Sequence, residues 1–452
     1  MEQFFRLKEN HSNVRTELIA GITTFMTMAY ILAVNPNLLG KTGMDGGAVF
    51  TATALASAVG CFAMALLANL PFALSAGMGL NAYFTYSVCM GMGYSWEVAL
   101  AAVCVEGLIF ILLSLTNVRE AIFNAIPGEL KLAVSVGIGL FITFIGLQNA
   151  HIVVDGATLV TLFSFKEAIT TGTFASEGIT VLLALIGTLI TSLLVIKNVK
   201  GNILLGILIT WGLGILCQLT GLYVPNPEAG FHSLIPASLI AMPASLAPTF
   251  MKMDFSNVLS VNFLVVVFSF LFVDIFDTLG TLIGCASKAD MLDKDGKLPR
   301  IKGALLADAI GTTVGAVLGT STITTFVESS SGIAEGARTG LSSIVVGGLF
   351  LLSLFFSPVF LAIPSFATAP ALIVVGFFMM QQVAKIDWNN MLTAIPAFIC
   401  IFAMPFAYSI SEGIAFGIIS YTVLHLAGGK AKKVTPLMYV LTVIFILKYI
   451  FL

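Results

Sequence analysis

The sequence predicts an all-α, polytopic membrane protein, and its composition and length together carry that prediction. Of its 452 residues, 58% are hydrophobic and only 10% are charged, with a mean hydropathy of +1.03. These values exclude an ordinary soluble enzyme. At about 20 residues for each helical span, the chain has room for roughly fourteen crossings and short loops. The formal net charge of −2 gives no reason to expect a nucleic-acid partner.

The first predicted span is too polar to face lipid. It covers about 18–38 and contains several threonines, Tyr30 and Asn35, so we expect it to line the interior of the protein. A second span, about 48–70, is rich in alanine and glycine, as close packing of helices in membranes requires. Further uninterrupted spans in this half are expected at about 98–115, 130–147, 179–196 and 203–222.

Residues 71–88 interrupt the apolar pattern after the second span. The segment PFALSAGMGLNAYFTYSV holds a proline, a serine and two glycines ahead of a short apolar stretch. This pattern predicts a broken helix, with extended backbone first and then a half-helix whose N-terminus lies near the membrane midplane. Asn81 lies in that half-helix and is therefore a candidate site residue.

The span at 263–286 carries two carboxylates near its middle, Asp274 and Asp277. Burying an ionised carboxylate in hydrocarbon costs at least about 2.5 kcal/mol, so acids within a membrane normally face a cavity, a partner or a transport path. Three residues apart, the two side chains lie about 60° apart around a helix axis and cannot point the same way. We expect one of them to face a ligand while the other braces it.

A second interrupted segment, at 319–340, follows later in the chain. Its run of threonine, isoleucine and valine favours extended backbone, and the three serines from Ser329 onward suit a helix N-terminus. Glu328 lies just before that helix. Two broken segments at matching places in two halves are typical of a binding site at the membrane midplane. They would supply Asn81 from one half and Glu328 from the other.

Each candidate also has a purely structural interpretation. Asp277 would then be an acid bonded to neighbouring hydroxyls, with Asp274 as a brace beside it. Glu328 would neutralise the dipole of the helix that follows it, and Asn81 would only cap a helix. Asp308, in another apolar span, is either a partner within the helix bundle or a member of a proton relay.

Basic residues indicate the orientation in the membrane. The loop at 286–302 is rich in lysine and arginine, and the positive-inside rule places it in the cytoplasm. Counting spans outward puts the N-terminus, the turn at 197–201 and the basic segment at 428–433 on the same side. We therefore expect a multi-pass protein of the cell inner (cytoplasmic) membrane with a cytoplasmic N-terminus.

The two halves of the chain repeat weakly in sequence. The segments that start at Ala125 and Ala362 both begin with AIP, and ALASAVG at 54–60 is similar to LLADAIG at 305–311. If each half has an odd number of spans, the repeats are inverted in the membrane, as is usual in secondary transporters. The predicted units are a first repeat at 1–222, a polar crossover loop at 223–256, a second repeat at 257–428, and a basic segment with an extra apolar stretch at 429–452.

Four longer motifs together resemble one family of membrane transporters. They are NVRTELIAGITTFMTMAYILAVNP at 13–36, SAGMGLNAYF at 75–84, FVDIFDTLGTL at 272–282 and TTFVESSSGIAEGARTGL at 324–341. Over essentially its whole length the chain is similar to the nucleobase-cation symporters, and closely to their azaguanine-like (AzgA-like) purine permeases.

The resemblance implies fourteen transmembrane segments in two inverted seven-span repeats. Spans 1–4 and 8–11 would form a core domain, and spans 5–7 and 12–14 a gate domain. Two short strands would cross at the substrate. The resemblance also implies proton-coupled uptake of a purine base, either guanine and hypoxanthine or adenine.

The same resemblance assigns roles to individual residues. Asp277 matches the purine-binding acid of the eighth span, Glu328 its partner acid, and Asn81 the polar residue after the first strand. Asp274 matches an acid typical of this branch, so either Asp274 or Asp277 would carry the coupling proton. Ser329 stands near positions where xanthine and uracil relatives carry amide or histidine side chains, so we do not transfer the selectivity of those relatives.

The chemistry of a purine supports this assignment. Its ring N–H donors, its acceptors and its flat apolar face require carboxylates, backbone amides and apolar walls, and Phe276 and Met78 are candidates for those walls. Burial and a second acid one turn away favour the protonated form of Asp277, whereas a helix N-terminus favours the ionised form of Glu328. We therefore assign the proton mainly to Asp277 and the ligand mainly to Glu328.

The main alternative is an anion transporter of the same inverted-repeat fold, but an anion site should offer basic groups and avoid acids. An enzyme is not expected, because the apolar spans contain no nucleophile–histidine pair. The six cysteines show no metal-ligand spacing, so we expect no metal and no cofactor. The expected partners are a purine base, a proton and membrane lipid, and a homodimer is left open.

Overall fold

Helices dominate the structure, because a backbone in lipid must satisfy its polar groups internally. The computed structural model describes residues 2–451 apart from 116–125, 157–158, 227–229, 257, 259, 289–290 and 292–297. Within this part of the chain, eleven helices are long and apolar enough to cross a membrane. They are Val14–Thr42, Gly46–Ala68, Trp96–Ser114, Gly128–Asn149, Phe174–Ile196, Asn202–Leu219, Val261–Leu279, Ile301–Leu318, Gly340–Leu361, Ser365–Lys385 and Ile410–Ala427.

The α-helices of the first half follow the predicted spans closely. They are α1 (Val14–Met28), α2 (Ile31–Leu39), α3 (Gly46–Ala63), α4 (Met78–Ala82), α5 (Trp96–Ser114), α6 (Gly128–Asn149), α7 (Phe165–Thr171), α8 (Ile179–Ile196) and α9 (Asn202–Leu219). Asn13 caps α1 by accepting from the N–H of Thr16 at 3.0 Å. The first predicted span is longer than expected, and a turn at Ala29 and Tyr30 divides it into α1 and α2.

The second half begins after a long segment in which the described residues form no α-helix. Its helices are α10 (Val261–Lys288), α11 (Ile301–Leu318), α12 (Ser329–Ala334), α13 (Gly340–Ser353), α14 (Ser357–Leu361), α15 (Ser365–Met380), α16 (Met391–Phe406), α17 (Ile410–Ala427) and α18 (Pro436–Phe451). Gly319 ends α11 with φ of +100°, and a Cβ there would lie 2.2 Å from the Cβ of Thr249. Only glycine fits this position.

Two short strands from the two halves pair with each other. Strand β1 (Leu74–Ala76) lies antiparallel to β4 (Ile323–Thr325), with Ser75 opposite Thr324. Strand β1 leads into α4, and β4 is followed by α12. Each interrupted segment therefore consists of a strand and then a short helix, as its sequence predicts.

A hairpin between α6 and α7 was not expected from the sequence. Its strands are β2 (Val153–Gly156) and β3 (Leu159–Leu162), which pair antiparallel. Most of their residues are exposed or half-buried. The fold is therefore mostly helical, with one strand pair inside the protein and one hairpin near its surface.

The helices pack in two groups. In one, α3 packs against α11 and α13, α5 against α11 and α10, and α1 against α12 and α13. In the other, α6 packs against α15 and α16, α16 against α17, and α8 against α9 and α15. The paired strands β1 and β4 contact α3, α10 and α11, so they belong to the first group.

The two groups meet at the end of the first span. The Lys41 ammonium donates to the Tyr86 hydroxyl at 3.2 Å and to the Asn149 amide oxygen. Tyr86 also donates to Asn149 at 3.0 Å and packs edge to face against Tyr408, with ring centroids 5.7 Å apart. Asn149 ends α6 and Tyr408 lies between α16 and α17, so this cluster joins one helix group to the other.

The other end of the first span gathers several separate segments. A cavity of about 300 Å³ is lined in part by Glu9 to His11, by Leu298 to Arg300 and by Arg338. Lys200, from the turn between α8 and α9, forms an ion pair with Glu335. The N-terminal segment and the basic loops around 200 and 300 therefore lie at the same end of the helix bundle.

Candidate functional site

The paired strands form the centre of the candidate site. Beyond the paired residues, Gly77 donates its N–H to the carbonyl of Thr322 at 3.1 Å, and Phe326 donates to that of Ala73 at 2.9 Å. These bonds extend the ladder at both ends and satisfy backbone groups that would otherwise be buried without partners. The first turns of α4 and α12 are thereby fixed relative to each other.

Asp277 lies against the end of β1. Its carboxyl oxygen Oδ2 is 3.5 Å from the position that a Cβ on Gly77 would occupy, and the same Cβ would lie 2.5 Å from a methyl carbon of Thr324. A side chain at Gly77 would therefore collide with β4 beside the Asp277 carboxylate. The absence of that side chain lets α10, β1 and β4 meet around a half-buried acid.

Glu328 lies directly before α12 and is also half-buried. Its side chain does not cap that helix. Instead, its Oε1 atom accepts a hydrogen bond of 2.7 Å from the hydroxyl of Tyr30. Asp277 is close enough to Glu328 and to Asp308 for their charges to interact. The structure therefore brings Asp277, Glu328 and Tyr30 into one neighbourhood.

Sequence reasoning did not identify Tyr30 as a site residue. Its polarity suggested only that the first span faces the interior, and its partner Glu328 is 298 positions away. The available signal was a tyrosine within an apolar span; in the structure it lies in the turn between α1 and α2, and its side chain is fully buried. A buried tyrosine usually has a partner for its hydroxyl.

Asp274 lies in a different environment from Asp277. It is fully buried, and its Oδ1 accepts from the hydroxyl of Thr278 at 3.1 Å. The same hydroxyl is 2.7 Å from Oδ1 of Asp308 and 2.7 Å from the hydroxyl of Thr324. This cluster ties α10 to α11 and to β4, and it includes Asp308 in the role of a partner within the bundle.

Asn81 and Ser329 bond to the framework around the strands. The Asn81 amide oxygen accepts from the hydroxyl of Ser321, and its buried Nδ2 has no hydrogen-bond partner within the described part of the chain. The Ser329 hydroxyl accepts from the N–H of Ala73 at 3.0 Å, just before β1. Met78 is buried at the start of α4. The side chain of Phe276 lies outside the part of the structure that is described.

Further buried polar groups surround the segment before β4. Thr322 donates to the carboxylate of Glu106, a fully buried acid on α5, at 2.8 Å. Asn35 donates to Thr53 at 2.7 Å and to Thr320 at 2.9 Å, so the polar face of the first span holds this segment. Among the described residues, no group of histidine, cysteine and acidic side chains has an arrangement that could hold a metal ion.

The sequence is similar to those of known permeases. A model of the permease family (Xan_ur_permease) matches residues 15–416. The guanine/hypoxanthine permease PbuG of Bacillus subtilis is 47% identical over 464 residues, which cover 100% of this chain and 100% of PbuG. The adenine permease AdeP of Escherichia coli is 39% identical over 453 residues, which cover 100% of this chain and 96% of AdeP.

Among solved structures, the transmembrane domain of the cyanobacterium bicarbonate transporter BicA has a similar fold. The TM-score is 0.62 at 16% identity, and the match covers 90% of this chain and 97% of that one. At this level of identity the similarity concerns the fold alone.

Proposed function

The chain belongs to the permease family, and from that premise we propose that it imports purine nucleobases together with protons by alternating access. The chain is a membrane transporter and not an enzyme. The observation that carries the proposal is the pair of acids, Asp277 and Glu328, held beside two paired strands between membrane-spanning helices.

Two carboxylates suit the hydrogen-bonding edge of a purine. The ring N–H groups of the base need acceptors, and each ionised carboxylate offers two acceptor oxygens. One carboxylate oxygen of Glu328 already accepts from Tyr30, and the other oxygen would accept from the ligand. Met78 and Phe276 would contact the flat apolar face of the base, and Asn81 and Ser329 would complete the site from the ends of the two interrupted segments.

The architecture that we propose has fourteen spans in two inverted repeats. The eleven long helices account for most of them, and the two strand-helix segments together with α16 would bring the number to fourteen. The antiparallel pairing of β1 with β4, at matching places in the two halves, supports an inverted relation between residues 1–222 and 257–428. Helix α18, in the 429–452 segment, lies beyond both repeats.

The two packing groups support a core domain and a gate domain. The group around α3, α11 and α13 would be the core, made from spans 1–4 and 8–11, and the group around α6 and α15 to α17 would be the gate, made from spans 5–7 and 12–14. The cluster of Lys41, Tyr86, Asn149 and Tyr408 joins them at one end of the first span. Alternating access would require this cluster to open.

Labelling of an introduced cysteine tests both the orientation in the membrane and this motion. Because Arg300 and the N-terminal segment share one end of the bundle, a membrane-impermeant maleimide should label Arg300→Cys in inside-out vesicles but not in intact cells. It should label Lys41→Cys in intact cells, at a rate that changes when a purine is added. Labelling of Arg300→Cys from outside intact cells would contradict the cytoplasmic N-terminus. The unmodified chain, with its native cysteines, is the control.

Uptake by permease-null cells tests the function itself. We expect the expressed protein to accumulate radiolabelled guanine and hypoxanthine or adenine, with competition among the bases identifying the preferred one. An uncoupler that collapses the proton gradient should abolish accumulation. Unchanged uptake after the uncoupler would refute proton coupling, and absence of uptake of all three bases would refute the proposed substrate class.

An anion transporter of the same fold is the second candidate, since BicA, which shares the fold, is a bicarbonate transporter. The site residues argue against it, because Asp277 and Glu328 would repel an anion and the paired residues of β1 and β4, LSA and ITT, include no basic side chain. Uptake of radiolabelled bicarbonate by the same permease-null cells would distinguish the two, since only an anion transporter should accumulate it.

A further inference from the structure

The hydrogen bond between Tyr30 and Glu328 indicates how the proposed site is prepared for its ligand. We propose that Tyr30 is a positioning residue, which holds the Glu328 carboxylate in the orientation that receives the purine base. This inference rests on the proposed function, because it concerns the same site. It adds a residue from the first span to a site whose acids come from α10 and the segment before α12.

Tyr30 is well placed for this role because its own position is rigid. The turn between α1 and α2 retains its backbone hydrogen bonds, including Ala33 N–H to the carbonyl of Tyr30 at 3.0 Å. The tyrosine side chain is 1% exposed. A tyrosine ring has few rotatable bonds, so packing of this kind fixes the direction of its hydroxyl. The hydroxyl can therefore act as a fixed point for a more flexible side chain.

Glu328 needs such a fixed point. It does not bond to the N-terminus of the helix that follows it, and its side chain is only half-buried. Within the described part of the chain, the side-chain hydrogen bond to its carboxylate comes from Tyr30. A free glutamate has many rotamers, and fixing them on binding costs up to about 2 kcal/mol of conformational entropy. A carboxylate that is already held avoids this cost.

The chemistry of the bond also selects which atom meets the ligand. The hydroxyl group of a phenol has one hydrogen, and Tyr30 donates it to Oε1 of Glu328. That leaves Oε2 of the same carboxylate as the acceptor for a purine N–H. Because the hydrogen bond from Tyr30 keeps Oε2 free as an acceptor, the site would favour a ligand that presents an N–H donor at this point. It would disfavour a ligand that presents an acceptor there. Tyr30 would thus influence the binding affinity and the choice among bases without contacting the coupling proton.

A binding measurement on purified protein, with guanine, hypoxanthine and adenine as probes, tests the inference. Tyr30→Phe removes the hydroxyl but keeps the ring. We expect it to weaken binding of the preferred base about tenfold and to raise KM for uptake, while the maximal rate stays near that of the unmodified protein. Tyr223→Phe is a matched control, because the Tyr223 hydroxyl donates at 2.7 Å to the carbonyl of His232, in the crossover loop. Tyr223→Phe should leave the binding affinity and the KM for uptake unchanged.

A double-mutant cycle separates positioning from a general structural effect. If Tyr30 acts through Glu328, adding Tyr30→Phe to Glu328→Gln should weaken binding by much less than tenfold. Should Tyr30→Phe fail to fold, Tyr30→Met enters the same cycle. An unchanged affinity in Tyr30→Phe, or the same tenfold loss in both backgrounds, would overturn this inference alone. No binding of any of the three bases by the unmodified protein would overturn the proposed function, and this inference with it.

Discussion

Replacement of Glu328 by glutamine is expected to weaken purine binding by one to two orders of magnitude. The amide has one oxygen in place of two, and Tyr30 already donates to the carboxyl group at 2.7 Å. If the amide oxygen keeps that bond, the NH2 group is left facing the ligand, where a purine N–H needs an acceptor. A buried donor without a partner costs about 1 to 3 kcal/mol, which corresponds to a loss of that size.

The measurement is equilibrium binding of the preferred base to purified Glu328→Gln. Glu335→Gln offers a matched control, because Glu335 directly follows α12 and forms an ion pair with Lys200. A surface pair of this kind contributes little to stability, so this variant should bind like the unmodified protein. Normal affinity in Glu328→Gln would mean that Glu328 does not accept from the base.

Replacement of Asp277 by asparagine is expected to retain measurable binding but to abolish accumulation against a gradient. Asparagine resembles the protonated acid, so the site keeps its shape while the proton can no longer bind and leave. Asp277 is the better candidate for the coupling proton because its side chain is half-buried, whereas Asp274 is fully buried and bonded within the Thr278 cluster. Its carboxylate also lies beside Gly77 at the end of β1, next to the position proposed for the ligand, so binding of a base would alter its surroundings.

The matched control for this variant is Asp274→Asn, one turn away on α10. The Asp274 carboxylate bonds to Thr278 within the buried cluster that joins three elements, so we expect the substitution to lower the amount of folded protein and leave the pH dependence of uptake in the remainder unchanged. Uptake is measured at several external pH values, with protein amount as the normalisation. If Asp277→Asn accumulates purine with normal pH dependence and Asp274→Asn does not, the proton belongs to Asp274.

The main features of the fold can be predicted from the sequence because they depend on local properties. Spans are visible as apolar runs of membrane length, and the interrupted segments are visible because proline and glycine break a helix while β-branched residues favour extended backbone. The hairpin at β2 and β3 was missed because its short strands lie in a connection between apolar spans, where hydropathy gives no pattern. Its pairing depends on neighbours and not on composition.

The candidate acids can also be predicted, since a carboxylate in an apolar run is conspicuous. Their partners cannot. Asp274 and Asp277 have the same sequence signal, yet one bonds to Thr278 within a buried cluster and the other lies beside Gly77. Likewise, nothing local to Asn81 or Ser329 shows that their side chains would bond to Ser321 and to the N–H of Ala73. Which hydroxyl reaches which acid is decided by packing between distant segments.

The pairing of β1 with β4 also bears on the order in which the protein is made. Ala73 and Ser329, which bond at one end of the pair, are 256 positions apart, so β1 leaves the ribosome long before its partner strand exists. Backbone groups left unpaired in lipid each cost several kcal/mol, which means that the unpaired β1 needs water or other protein around it during that interval. Closing so long a loop is also slow. The first half of the chain therefore cannot complete the binding site by itself, and the site forms only once the second strand has entered the membrane.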